Sequence, residues 1–397
     1  MSQEPFIQKL TLRNFRSIRN ETVTFANPLF LVGRNGSGKS NFLRSLAFLS
    51  DCMTLPLQAA FSKNGNLWNS HGSSSFYTPT IEIRLDFQQK GSDSYGGHYH
   101  FSIELSTLGS PEVVSEQCFV SSKYGGSLWF SRTKTYFQSN VPGINPAVSP
   151  QSLTLPIVAG AAEFSPLLNA LSAMRVYTIN PNAVSQVQEG TGSSYLVGDG
   201  SNSASVLLNL ARQDVGAIER VRQLLSSIVP GITRIEPITL ANNKLFLLIA
   251  QAGEGTNGTL FNADAMSDGT LSALGLIVAA IQDPAPSLIA IEEPERNIHP
   301  GALEAIGDII KIAAQRTQVV VTTHSPDLLD TKWMQPENLR VVEWEEGATH
   351  ISELGEASVK ALQRHLMGAG ELLRANALDA AAPKLEDTSD LYQETLA

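Results

Sequence analysis

The chain has 397 residues, a formal net charge of −10 and a hydrophobic content of 42%. That length suits two or three domains or one large α/β domain with insertions, and the acidic balance weighs against a wholly basic nucleic-acid surface. Two cysteines, Cys52 and Cys118, exclude a disulfide framework; with no apolar signal segment and no apolar run near the ~20 residues of a membrane helix, a cytoplasmic protein with no membrane partner is expected.

Phe6-Ile7-Gln8-Lys9-Leu10-Thr11-Leu12 alternates as a half-buried strand does, and Thr22-Val23-Thr24-Phe25 reads as a second strand. Asn27-Pro28 turns the chain into an apolar strand, Phe30-Leu31-Val32. It feeds Gly33-Arg34-Asn35-Gly36-Ser37-Gly38-Lys39-Ser40, after which Asn41-Phe42-Leu43-Arg44-Ser45-Leu46 has helical apolar spacing. The loop matches G-x-x-x-x-G-K-[ST] at every fixed position. Glycines let backbone N–H groups curl around phosphate oxygens where side chains would clash. The helix that begins there aims its positive dipole end at the same phosphates. Lys39 has the reach for the β- and γ-phosphates of ATP, and Ser40 can place a hydroxyl on Mg²⁺. Two strands ahead of the loop depart from the simplest P-loop arrangement. The first 44 residues also concentrate basic groups (Lys9, Arg13, Arg16, Arg19, Arg34, Lys39, Arg44), which allows a local basic face, although a solvated surface explains most of them.

Residues 51–80 are rich in Ser, Asn, Gly and Pro and read as irregular. Ile81–Phe87, His98–Leu105, Val113–Val120 and Leu128–Ser131 read as an antiparallel meander. Residues 139–159 and 188–203 read as loops, with a helix at Pro166–Ala173 and a strand at Met174–Ile179 between them. Ser203 to Val229 has the spacing of one or two amphipathic helices closed by Pro230-Gly231. Strands follow at Ile232–Ile238 and Lys244–Ala250, with Asn257-Gly258 as a hairpin turn signal. No long heptad run predicts a coiled-coil arm.

Three later stretches carry chemistry. Met266-Ser267-Asp268-Gly269-Thr270-Leu271 opens an apolar helix, and a serine, a glycine and a helix start form an anion site or a simple N-cap. Ser287 to Ile291 reads as a buried parallel strand ending in Glu292-Glu293-Pro294-Glu295. Adjacent strand residues point in opposite directions, so one acid can face Mg²⁺ and the other an attacking water; an exposed acidic turn is the plainer alternative. Gln318 to Thr323 is another buried strand, with His324 at its end. That histidine either senses a γ-phosphate through a hydrogen bond or merely caps the Ser325-Pro326 turn. His98 and His100 share a strand face, but no third metal ligand is evident. Cys52, Cys118, Trp68 and Trp129 read as packing residues.

Taken in order, Gly33–Ser40, Ser267-Asp268-Gly269-Thr270-Leu271, Leu288–Glu295 and Thr322-Thr323-His324-Ser325-Pro326 resemble the ABC-type ATPases of the RecF, SMC and OLD kind, above all stand-alone ATPases with an S-D-G-T-L signature. Leu12-Arg13-Asn14-Phe15-Arg16-Ser17-Ile18 is similar to their opening segment, and Pro294-Glu295-Arg296-Asn297-Ile298-His299-Pro300 to their E-P-E-x-x-[IL]-H-P segment. The resemblance implies an α/β fold: an ABC-type P-loop ATPase head with a mixed sheet, an antiparallel β lobe and a helical subdomain. It implies that Arg34, Asn35, Gly36, Ser37, Gly38, Lys39, Ser40 and Asn41 bind nucleotide and that Ser40 and Glu292 hold Mg²⁺. It further implies that Glu293 orients water, with His324 as switch and Lys39 on the phosphates. Ser267, Asp268, Gly269 and Thr270 would contact ATP bound to a second copy, giving an ATP-sandwiched homodimer. Glu292 departs from the family's usual aspartate. No single Q-loop residue stands out, with Asn180, Gln186 and Gln188 all candidates.

The expected organisation is an N-terminal lobe over residues 1–165, a helical subdomain with connecting strands over 166–260, a C-terminal ATPase lobe over 261–370 and an acidic tail over 371–397. The 73 residues after His324 are too few for the nuclease domain of OLD-type proteins, so a separate effector protein is expected, in anti-phage defence. The alternatives are a RecF-like DNA repair ATPase, with nucleic acid as partner, and a nucleotide-binding scaffold with little turnover.

Overall fold

The computed structural model describes residues 4–65, 67, 80–89, 94–106, 109–122, 126–160, 164–190, 192–253 and 255–382. The acidic stretch 385–390, Trp68 and the turn glycines Gly91 and Gly125 lie outside the described residues.

Three sheets organise the chain. The first has seven strands, in the order β2-β1-β4-β5-β6-β7-β8. These are β1 (Ile7–Phe15), β2 (Ile18–Thr24), β4 (Ile81–Gln89), β5 (Tyr95–Leu105), β6 (Pro111–Ser122), β7 (Ser127–Thr133) and β8 (Phe137–Ser139). Every pairing in it is antiparallel. The expected meander is thus joined by the two strands that precede the loop, which explains why they come first. The central sheet has six strands, in the order β17-β16-β3-β15-β14-β9. They are β3 (Leu29–Val32), β9 (Arg175–Tyr177), β14 (Leu288–Glu292), β15 (Gln318–Thr323), β16 (Leu339–Glu345) and β17 (Ala348–Ser352). All its pairings are parallel except that of the edge strand β17, so the sheet is mixed. The third sheet sets β12 (Lys244–Gly253) between β11 (Ile232–Thr239) on one side and β10 (Gln188–Glu189) and β13 (Gly255–Asn262) on the other.

The central strands are apolar on both faces because both faces are covered. Alternate residues divide between two cores. Leu29, Leu31, Leu288, Ala290 and Val320 join the core beneath the seven-stranded sheet and the helix Lys39–Thr54. Phe30, Val32, Ile289, Ile291, Val319 and Val321 join a second core with the helices Asp268–Ile281 and Leu303–Ala313. No helix among the described residues is long and apolar enough to cross a membrane.

Several local expectations are corrected. Residues 51–64 are helical rather than irregular: the helix from Lys39 runs to Thr54, and a second spans Leu57–Asn64. Cys52, Met53, Leu57, Ala60 and Phe61 bury one side of this pair, and that apolar spacing outweighs the intervening polar residues. The 203–229 stretch, expected as one or two helices, is two as that expectation allowed, Ser203–Gln213 and Ala217–Ile228. The β12–β13 hairpin turns at Gly253 and Gly255 rather than at Asn257-Gly258. Gly258 has φ +66° inside β13, and a Cβ there would stand 2.7 Å from the Gln251 carbonyl oxygen, so its left-handed backbone makes an irregularity in the strand. The loops 139–159 and 188–203 each contain a short element, the helix Leu155–Val158 and β10.

Candidate nucleotide-binding site

Parallel strands deliver their C-terminal ends to one edge, where α/β sheets place ligands. The registers Val32↔Thr323, Glu292↔Thr322 and Ile291↔Tyr177 bring together the loop after β3, His324 after β15, Glu293 after β14 and Thr178 after β9. In the loop, Gly36 and Gly38 have φ +79° and +103°. Lys39 is buried, and its Nζ donates to the carbonyls of Gly33 and Arg34 at 2.7 and 2.9 Å. The ammonium therefore lies folded over the loop. Burial lowers its pKa, opposed by the charges of Glu293, Glu295 and Glu292, in that order. Arg34 reaches away and donates to Asn376 Oδ1 at 3.1 Å, while the Ser37 hydroxyl is buried without a described partner.

Gly38 has no room for a side chain, because a Cβ would lie 1.9 Å from Thr349 Oγ1. With the cost of a left-handed non-glycine residue added, roughly 1–2 kcal/mol, Gly38→Ala is expected to weaken nucleotide binding by about 100-fold. A fluorescent-nucleotide titration measures this.

Three acids face Lys39. Glu292 Oε2 accepts from Thr178 Oγ1 at 2.8 Å. Glu293 has φ +45°, and its N–H donates to the Thr322 carbonyl at 3.0 Å. His324 Nδ1 stands 3.3 Å from Glu293 Oε1 and 3.6 Å from Glu295 Oε1. Glu295 Oε1 accepts from Thr323 Oγ1 at 2.7 Å and from the His324 N–H at 3.1 Å, while its Oε2 is buried with no described partner. The strand ends thus hold an acidic cluster against one lysine.

Ser267 is the N-cap of the helix Asp268–Ile281, accepting from the Thr270 N–H at 3.3 Å, with the two hydroxyls 2.8 Å apart. A Cβ on Gly269 would lie 2.6 Å from the Asn297 carbonyl oxygen, so this helix start packs against the segment after β14. Among the described residues, no hydrogen bond links Ser267–Thr270 to Gly33–Asn41. Asp268 lies in the first turn of that helix and is exposed.

Residues 6–97 match a family described as "AAA ATPase domain", and residues 205–330 match one described as "AAA domain, putative AbiEii toxin, Type IV TA system". The Old nuclease of Escherichia phage P2 is 22% identical over 372 residues, covering 82% of this chain and 57% of that protein. The DNA replication and repair protein RecF of Francisella tularensis subsp. mediasiatica is 48% identical over 46 residues, 11% of this chain and 13% of RecF. A solved SMC head bound to the C-winged helix domain of ScpA shares the fold, with TM-score 0.54 and 15% identity over 87% of this chain and 97% of that one. These matches support a RecF/SMC/OLD-like ABC-type ATPase. The chain spans about half the length of the Old nuclease and a small part of RecF.

At this candidate site several residues lie beyond what the sequence reading singled out. Thr178 gave no sequence signal, since a threonine at a strand end is commonplace, and Thr323 stood in the Thr322–Pro326 stretch without an assigned role. Glu295 stood in the E-P-E segment but had no assigned role. Of the Q-loop candidates, Asn180 caps the helix Pro181–Ser185 and Gln188 is buried, bonded to Ala204 N–H and the Val184 carbonyl. Gln186 is exposed just after that helix. His98 stacks on Phe119, and burial lowers the pKa of His100. Burial likewise raises the thiol pKa values of Cys52 and Cys118, which suits core residues. Among the described residues no three acids, histidines or cysteines form a closed metal cage. The oxygen donors Ser40 and Glu292 nonetheless fit a hard cation that takes its other ligands from phosphate and water. The Glu295 oxygen without a described partner lies in the group of three acids whose charges act on Lys39.

Proposed function

We propose that this chain is a cytoplasmic, Mg²⁺-dependent ATP-hydrolysing switch that closes as a homodimer around ATP and regulates a separate effector in anti-phage defence. The observation that carries it is the pairing of His324 with Glu293, 3.3 Å apart, at the strand edge that holds Lys39. Arg34, Asn35, Gly36, Ser37, Gly38 and Asn41 shape the phosphate cradle, and Lys39 leaves its loop carbonyls to meet phosphate. Ser40 and Glu292 would hold Mg²⁺, which supplies charge neutralisation on the phosphates. Glu293 orients water and takes its proton, while His324 follows the γ-phosphate. Ser267, Asp268, Gly269 and Thr270, which make no hydrogen bond to their own loop, are free to serve a second copy. ATP then belongs to the interface, and its hydrolysis loosens the dimer. The matches to a family described with a toxin–antitoxin system and to a phage-encoded nuclease support the defence setting.

A bulky charge at the helix start tests the dimer. Ser267→Arg is expected to leave ATP binding within about threefold and to abolish the ATP-dependent dimer, as read by size exclusion with light scattering; the lost cap costs about 1 kcal/mol. A variant that still dimerises with ATP overturns the sandwich. A second reading, a nucleotide-binding scaffold with little turnover, is favoured by Glu292, whose longer side chain is already engaged by Thr178. Phosphate release near background from an ATP-saturated wild-type chain would select it.

A further inference from the structure

Behind the phosphate loop runs a single chain of side-chain hydrogen bonds. Asn41 Nδ2 donates to Ser17 Oγ at 2.6 Å. The Ser17 and Thr349 hydroxyls lie 2.7 Å apart. Thr349 Oγ1 donates to the Ser37 carbonyl at 3.0 Å. An amide N–H only donates and a carbonyl only accepts. The one proton of Thr349 is spent on Ser37, so Ser17 donates to Thr349. A single proton order therefore satisfies all three bonds, with each hydroxyl both giving and receiving.

Both ends of this chain lie on the phosphate-binding element, Ser37 in the loop and Asn41 in the first helical turn. Both middle members come from outside it. Ser17 sits in the turn between β1 and β2, and Thr349 in the edge strand β17. Thr349 is fully buried, and its N–H donates to the Ser17 carbonyl at 2.9 Å. The turn is anchored in its own right: Arg16, at φ +51°, donates its N–H to the Leu67 carbonyl at 2.7 Å. Gly38 closes over Thr349 so tightly that a Cβ would stand 1.9 Å from its hydroxyl.

We infer that Thr349, with Ser17, is a positioning residue that holds the loop in its nucleotide-binding curvature before nucleotide arrives. A loop held in shape loses less freedom on binding, so the gain appears as affinity. Thr349→Val keeps the branched shape and deletes the donor. Thr349→Ser keeps the donor. The inference rests on the ATP-binding reading of Gly33–Ser40.

The test measures ATP affinity, kcat and KM on the full-length chain with Mg²⁺, and the unfolding midpoint without nucleotide. Thr349→Val is expected to raise the Kd and KM for ATP about tenfold, as for the loss of the one bond that reaches the loop carbonyl of Ser37, with kcat within threefold. Thr349→Ser is expected to stay within threefold of wild type throughout. Wild-type affinity in Thr349→Val, or a loss in Thr349→Ser equal to that in Thr349→Val, overturns the inference. If Thr349→Val does not fold, Ser17→Ala cuts the same chain from the turn and must show the same affinity loss; an unchanged Kd there also overturns it. A wild-type chain that binds no ATP overturns the functional reading itself, which separates the two failures.

Discussion

Glu293→Gln is expected to lower ATP turnover by about 10²–10⁴-fold, the range for a lost general base, while ATP binding persists. The glutamine keeps the length of the side chain and can still meet His324, which lies 3.3 Å from Glu293 Oε1. It can no longer accept a proton from water. Removing one negative charge beside Lys39 also relieves repulsion of incoming phosphate, since Glu293 is the largest of the three acidic influences on that lysine. The variant should therefore accumulate as an ATP-bound dimer, visible by light scattering, while phosphate release falls. A Glu293→Gln chain that elutes identically with and without ATP would sink the dimer switch.

The second large effect lies in the antiparallel lobe. Glu116 and Arg132 are fully buried and pair at 3.3 Å. Glu116 also accepts from Tyr99 Oη at 2.8 Å and from the N–H groups of Thr154 and Leu155 at 2.5 and 2.8 Å. Arg132 donates to the carbonyls of Ser149 and Ser152 at 3.3 and 2.6 Å. The pair thus ties the 149–155 segment to the sheet. The thiol pKa of Cys52, in the helix that begins at Lys39, is raised by its burial, then by the charges of Asp51 and Glu116. Removing one partner leaves a buried charge uncompensated, at a cost of about 3–5 kcal/mol. Arg132→Leu and Glu116→Leu are each expected to lower the unfolding free energy, measured by urea titration, by that amount. The double variant should be less damaging than the two single losses added, because no lone charge remains. It should not recover fully, since the 149–155 backbone groups still lose their partners. Additive losses would show that the ion pair itself contributes nothing beyond those backbone bonds.

The phosphate loop, the acids after β14 and the histidine after β15 were legible because each is a short local pattern. A glycine spacing, an apolar run and a polar strand end are all written within about ten consecutive residues. The helical nature of 51–64 was obscured by its polar residues, and only the buried positions of Phe61 and Cys52 reveal which side faces inward. The hairpin turn was misplaced because Asn257-Gly258 carries a turn signal that the strand uses for a left-handed residue instead.

By itself the sequence determined the glycine-rich loop and the helix after it, the mixed α/β alternation and the order of the chemical stretches. All of these follow from periodicity and from backbone conformations that particular residues permit. Tertiary structure alone decided which strand ends meet, because β3 pairs with β15 across about three hundred residues of chain and β15 with β14 across about thirty. It alone placed Thr178 on Glu292 and turned Glu295 towards His324. It alone joined Ser17 to Thr349, 332 positions apart, behind the loop. No local pattern encodes a hydrogen bond between hydroxyls so distant, since serine and threonine are found in every kind of element and acquire a role only from what folding sets beside them.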